Sequence, residues 1–272
     1  MTLLEVKKTV SYAGFFNSRL TLKQLHLWLI SPNKHSFKEV ANFVSKHPAF
    51  QKQLISKHDP KKTMLVNQKI NQIKKLILVF KFIPSIKLVA LTGSLSINNP
   101  KKQDDIDLMI VTSPHTLWLT RPLVILFTSL LSSRRKPKTK TTNNQICINL
   151  WLDQTSLTVP KNKQNLYTAH EVLQVKPLFD RGGVYQQFIK ANSWTKKHLA
   201  TAYATILTKR GPTLTGAPPD NGGAGPLAIG PKEGRYPQIL RGGTRQLNLL
   251  FFHLQHLYMK PKITNEYITP HA

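Results

Sequence analysis

Residues 87–111 read KLVALTGSLSINNPKKQDDIDLMIV. An apolar run ends in Thr92-Gly93-Ser94. A polar stretch rich in Asn and Lys follows, and Asp104, Asp105 and Asp107 then lead into a second apolar run. Charged groups beside a core are costly unless paired, so acids at the start of a strand call for an explanation. Side chains alternate along a strand, which puts Asp105 and Asp107 on one face and Asp104 and Ile106 on the other. Two carboxylates ~7 Å apart along that face repel each other unless a cation lies between them. Mg2+ suits such a position, because it is hard, prefers oxygen and is held by one or two protein carboxylates together with substrate phosphates. Gly93 supplies the complementary half, since glycine permits a tight turn and lets a phosphate approach the backbone. A helix starting at Ser94 would direct N–H groups at that phosphate, and Ser94 Oγ would add a hydrogen bond. Cation site and anion site then lie side by side, as a metal-bound nucleoside triphosphate requires.

Outward from this stretch the pattern alternates between helix and strand. Val66, Ile70, Ile73, Ile77 and Phe80 recur at steps of four and three, which predicts one helix over 64–83. Pro84 stops it. Residues 86–92 and 105–111 read as buried strands rich in branched side chains, and ICINLWLD (146–153) as a third. Residues 116–131 are long enough for a helix, read as buried, with Pro122 as a complication. LYTAHEVLQVKPLF (166–179) and residues 185–207 predict further helices. Asp180-Arg181-Gly182-Gly183 reads as a turn in which Asp180 and Arg181 would pair.

Gly93-Ser94, ten residues, then Asp105-Ile106-Asp107 in an apolar setting resembles the signature of the polymerase-beta-type nucleotidyltransferase superfamily. The resemblance covers about residues 64–155. It implies an α+β fold, a short mixed sheet with helices on one side. It also implies transfer of a nucleoside monophosphate from an NTP to an acceptor hydroxyl, with Mg2+ (or Mn2+) and release of pyrophosphate. Gly93 and Ser94 would hold the triphosphate, and Asp105 and Asp107 would ligate the metal. The family adds a third carboxylate on a neighbouring strand. On 146–153, Cys147, Asn149, Trp151 and Asp153 share a face by alternation. Asn149 cannot take a proton, so Asp153 is the catalytic candidate, with Glu171 a more distant one.

The remaining chain bounds the setting. It has 272 residues with 39 Lys+Arg against 12 Asp+Glu, a net charge of +27. That surplus favours polyanionic partners: nucleotides or nucleic acid. The stretch 132–145 carries Arg134, Arg135, Lys136, Lys138 and Lys140 next to the expected site. Arg134 and Lys136 would grip a triphosphate or a nucleic-acid backbone, the alternative being a solvated basic loop. A single cysteine, Cys147, rules out an internal disulfide framework and suits a reducing cytoplasm. The N-terminus lacks the charged and apolar regions of a secretory signal, and Leu123–Leu131 is far shorter than the ~20 residues that cross a bilayer.

Four segments are expected. Residues 1–62 form a helical, winged-helix-like lobe whose Thr21/Gln24 and Ser36/Glu39 pairs fit capping boxes. Residues 63–210 form the nucleotidyltransferase domain. Residues 211–237, nearly half Gly and Pro, form a flexible linker, and 238–272 a C-terminal helix and tail. Two function classes follow: a metal-dependent nucleotidyltransferase, or a catalytically silent protein of that fold binding nucleotide or nucleic acid. A partner-regulated enzyme, such as a toxin–antitoxin component, is a third.

Overall fold

A computed structural model describes residues 1–56, 59–131 and 145–208. In chain order the elements are α1 (Leu3–Phe15), α2 (Leu22–Leu27), α3 (Phe37–Ser45), α4 (Pro48–Gln53), α5 (Pro60–Lys81), β1 (Ile86–Leu91), α6 (Gly93–Ser96), β2 (Ile106–Thr112), α7 (Leu117–Leu131), β3 (Ile146–Asp153), α8 (Leu166–Gln174), β4 (Lys176–Asp180), α9 (Val184–Ala191) and α10 (Lys196–Thr208). The basic stretch with Arg134 and Lys136, except its last residue Gln145, the expected linker at 211–237 and the C-terminal segment lie outside the described residues.

The four strands order as β3-β2-β1-β4. β1 pairs antiparallel with β2 and with β4, and β2 pairs parallel with β3, so the sheet is mixed. Alternation sends Val89, Leu91, Leu108 and Ile110 to one core and Leu88, Ala90, Met109 and Val111 to the other. The first core is closed by α5 and α7, so the helices of the segment that carries the signature lie on one face of the sheet. The opposite face is covered by α8, α9 and α10, with Leu27, Trp28 and Ile30 of the N-terminal lobe packed alongside.

The lobe is built as its caps predict. The expected boxes at Thr21/Gln24 and Ser36/Glu39 are both formed, and Thr2/Glu5 adds a third at α1. Its core is Val6, Leu25, Leu29, Val40 and Val44. Residues 1–56 form four helices and no strand, so no β-wing is present among the described residues. The lobe is tied to α10 at a backbone kink: Leu199 leaves helical geometry, Ser31 N donates to His198 O and Ala200 N donates to Ser31 O.

Three expectations change. Residues 176–180 of the stretch read as helix form the edge strand β4, because Pro177 cannot continue a helix yet is tolerated at a sheet edge. Asp180 and Arg181 do not serve each other. Asp180 Oδ1 accepts from Val184 N at 2.8 Å, capping α9, while Arg181 donates to the carbonyls of Lys81, Ile83 and Pro84 and closes the end of α5. The helix expected at 116–131 forms and runs through Pro122, but it is not buried all round. Thr120, Val124 and Thr128 form its inner stripe, and Leu123, Leu126, Leu130 and Leu131 face outward. No helix among the described residues is long and apolar enough to cross a membrane.

His170 marks where lobe and α8 meet. It is buried, stacks on Tyr12 with ring centroids 4.4 Å apart, lies beside Trp28, and its Nε2 has no hydrogen-bond partner. Burial, with a smaller push from His198, lowers its pKa to about 4. A histidine depressed in the folded state leaves stability intact above its unfolded pKa of ~6.5 and removes it as pH falls towards the folded value. Wild type is therefore expected to lose about 2 kcal/mol through this group between pH ~7 and pH ~5. Denaturant unfolding of His170→Phe at the two pH values should show that loss reduced by a similar amount. An undiminished loss would show that other groups carry the acid sensitivity.

Candidate active site

The site forms where β1 ends and β2 begins. Thr92 N donates to Asp107 O, which brings the turn after β1 against the start of β2. Gly93 then takes a positive φ of 60°, a conformation that favours glycine. Its neighbour leaves no room for anything else: a Cβ there would lie 2.5 Å from Asp107 Oδ2. Sterics and backbone conformation thus demand the same residue at one position. The helix that follows, α6, is only four residues long.

Asp105 and Asp107 do fall on one side of the strand start. One carboxylate oxygen from each, together with the Cys147 sulfur, lie within 4.8 Å of one another, and all three residues are partly exposed. The acids approach more closely than strand spacing alone allows because Asp105 precedes β2 and belongs to the irregular loop. Ser94 and Asp104 differ from expectation. Ser94 Oγ donates to Asp104 Oδ2 at 2.7 Å, so the hydroxyl expected to meet phosphate is engaged in holding the loop, and Lys101 N donates to the same oxygen.

Behind this loop lies Lys69, a residue the sequence reading passed over. It sits on the same stripe of α5 as Val66 and Ile73 and has no exposed surface. Its Nζ donates to the carbonyls of Asp104, at 2.6 Å, and Lys102. Burial lowers its pKa, and the charges of Asp104 and Asp105 oppose that shift. A lysine at a core position of an amphipathic stripe was the available signal.

The third-acid candidates are not brought to the cluster. In the parallel pairing Asp107 faces Cys147 and Leu108 faces Ile148, but Met109 then faces Leu150. Asn149 is the extra residue of a β-bulge, and such a bulge re-aims everything after it. Past it the parity of β3 reverses: Trp151 packs into the core containing Ile110, and Leu152 into the core containing Val111. Asp153 consequently pairs with Thr112, five residues along β2 from Asp107 and on the other face. Its carboxylate accepts from His115 N, Thr155 N and Thr155 Oγ1, organising a turn. Glu171 lies on α8 near Tyr12 and Tyr167, and burial raises its pKa. What reaches Asp107 instead is Asn149, whose Nδ2 donates to Asp107 Oδ1 at 3.0 Å while its Oδ1 accepts from Thr92 Oγ1.

The donor set suits a divalent cation, with two carboxylate oxygens and a sulfur clustered beside a backbone stripped of its Cβ. A family model described as nucleotidyltransferase domain matches residues 73–160, the segment spanning the C-terminal part of α5, the glycine turn, both acids and β3. Residues 73–160 are a nucleotidyltransferase domain of the polymerase-beta type. The mixed four-stranded sheet with helices fits the polymerase-beta-like fold. The chain also has a match among solved structures, described as "Crystal structure of the toxin-antitoxin with AMP-PNP". That match has 20% identity over 46% of this chain and 86% of that chain, with a TM-score of 0.28. No curated protein matches.

Gly93→Ala tests the turn of the nucleotidyltransferase domain. The added methyl meets Asp107 and forces a strained φ, so the variant should unfold with roughly 1–3 kcal/mol less stability in urea. Wild-type stability in Gly93→Ala would mean that the turn relaxes without cost. Lys69→Met should leave the carbonyls of residues 102 and 104 unserved, and amide hydrogen exchange in 101–105 should rise while β1 stays protected.

Proposed function

We propose that this chain is a divalent-metal-dependent nucleotidyltransferase that moves a nucleoside monophosphate from an NTP to an acceptor hydroxyl with release of pyrophosphate. One observation carries the reading: the Asp105/Asp107 clasp lies against a glycine turn that a single methyl group would block. Asp105 and Asp107 would hold the divalent cation. A bound ion supplies positive charge to the attacking and leaving oxygens of an in-line displacement. The rest is the work of the chain. Gly93 lets a phosphate come against the backbone. Asn149 and Thr92 fix the orientation of Asp107, and Lys69 and Asp104 hold the loop that presents Asp105. The excess of Lys and Arg raises the local concentration of polyphosphate.

A second reading, a protein of this fold that binds nucleotide or nucleic acid without transferring it, is favoured by one feature. The β3 residues nearest Asp107 are Cys147 and Asn149, and neither is a carboxylate.

Incubation with labelled ATP, GTP, CTP and UTP, Mg2+ or Mn2+ and mixed acceptors separates the two. Removing an outer-shell partner of a metal already costs roughly 10- to 100-fold, so loss of a ligand in Asp105→Asn or Asp107→Asn should lower pyrophosphate release by more than about 100-fold. Pyrophosphate release that persists in both variants refutes the assignment of the acids. Metal-dependent NTP binding without any release supports the second reading.

A further inference from the structure

We propose that Cys147 is a third ligand to the cation held by Asp105 and Asp107, and that its sulfur biases the site towards borderline-soft divalent ions such as Zn2+ or Co2+ and away from Mg2+. The inference rests on reading the two acids as a cation clasp.

Three features of the fold support it. Residues paired in register on neighbouring parallel strands share a face, and Cys147 is the register partner of Asp107. The sulfur and one oxygen from each acid already lie within 4.8 Å of one another. Ligands on opposite sides of one ion stand about 4.4 Å apart at ordinary metal–oxygen and metal–sulfur distances, so a small rotamer adjustment closes the set. The other β3 side chain that reaches this point, Asn149, donates to Asp107 and accepts from Thr92, which orients one of the acids.

The chemistry follows from the donor. Mg2+ demands hard oxygen ligands at near-ideal octahedral geometry and gains little from sulfur. Thiolate strengthens binding of Zn2+ and of the softer Cd2+, whereas carboxylate alone favours Mg2+ and Mn2+. The bulge at Asn149 makes the arrangement specific to this end of the strand. Beyond it the chain has switched faces, so Asp153 supplies no competing oxygen.

The full chain contains one cysteine, so any thiolate-to-metal charge-transfer absorbance reports Cys147 alone. Cd2+ and Co2+ are titrated into wild type, Cys147→Ser, Asp105→Asn and Asp107→Asn, with circular dichroism confirming the fold of each. Mn2+ binding is followed in parallel by calorimetry. Wild type should show a band that saturates at one equivalent, and Cys147→Ser should lack it. Each acid variant, having lost a ligand and not merely an outer-shell partner, should need more than about 100-fold more Cd2+ to reach half-saturation. Cys147→Asp should bind Mg2+ more tightly and Cd2+ more weakly than wild type. A Cd2+ band of equal affinity in the acid variants means an isolated thiol and overturns the proposal. No band, with Mn2+ bound equally by wild type and Cys147→Ser but lost in Asp105→Asn, refutes the cysteine while leaving the two-acid clasp intact. Failure of wild type to bind either ion removes both.

Discussion

Gly93 and Asp107 touch so closely that the position has no space for a side chain, and much else at the site follows from that contact. The turn after β1 must pass over the start of β2 to make it. That passage is fixed by the backbone bond from Thr92 to Asp107 and by the positive φ at residue 93. On the function proposed above, a metal-bound polyphosphate would answer the acids with a cation and lie against backbone that carries no side chain.

The scaffold makes this contact durable. The sheet carries a core on each face, so the ends of β1 and β2 cannot slide without disturbing both. The irregular loop that presents Asp105 has little apolar anchorage of its own and is held by polar means. Lys69 binds its carbonyls from beneath, and Asp104 accepts from Ser94 and Lys101 from within. Burying a lysine is unfavourable, and its lowered pKa reflects that. The ammonium is tolerated because it meets backbone acceptors and neighbouring acids.

The third strand shows why the site was only partly legible. Alternation read along ICINLWLD places Cys147 and Asp153 together, and this holds only if the strand is regular. One inserted residue breaks it. The bulge at Asn149 sends Asp153 to the opposite face and to a turn with His115 and Thr155, and it leaves Cys147 beside Asp107. Nothing local in Asn149 announces a bulge, because the irregularity is a property of how two strands pair. The same limit applies to 176–180. Helical periodicity continues into KPLF, but an open edge on β1 and a proline that tolerates an edge position turn it into β4.

Local chemistry along the chain settles a good deal by itself. The capping boxes at Thr21 and Ser36, the stop at Pro84, the strands on either side of Gly93 and the pairing of Asp105 with Asp107 all depend on neighbours a few residues away. Those short-range rules survive in the folded protein. Tertiary structure decided which long-range partners meet: the thiol of Cys147 with two acids some forty residues earlier, Lys69 with the loop before β2, and His170 with Tyr12 across the lobe junction. These contacts come from strand register and helix docking, which are fixed by the shape of the whole core and by where a single bulge falls, and no local pattern encodes them.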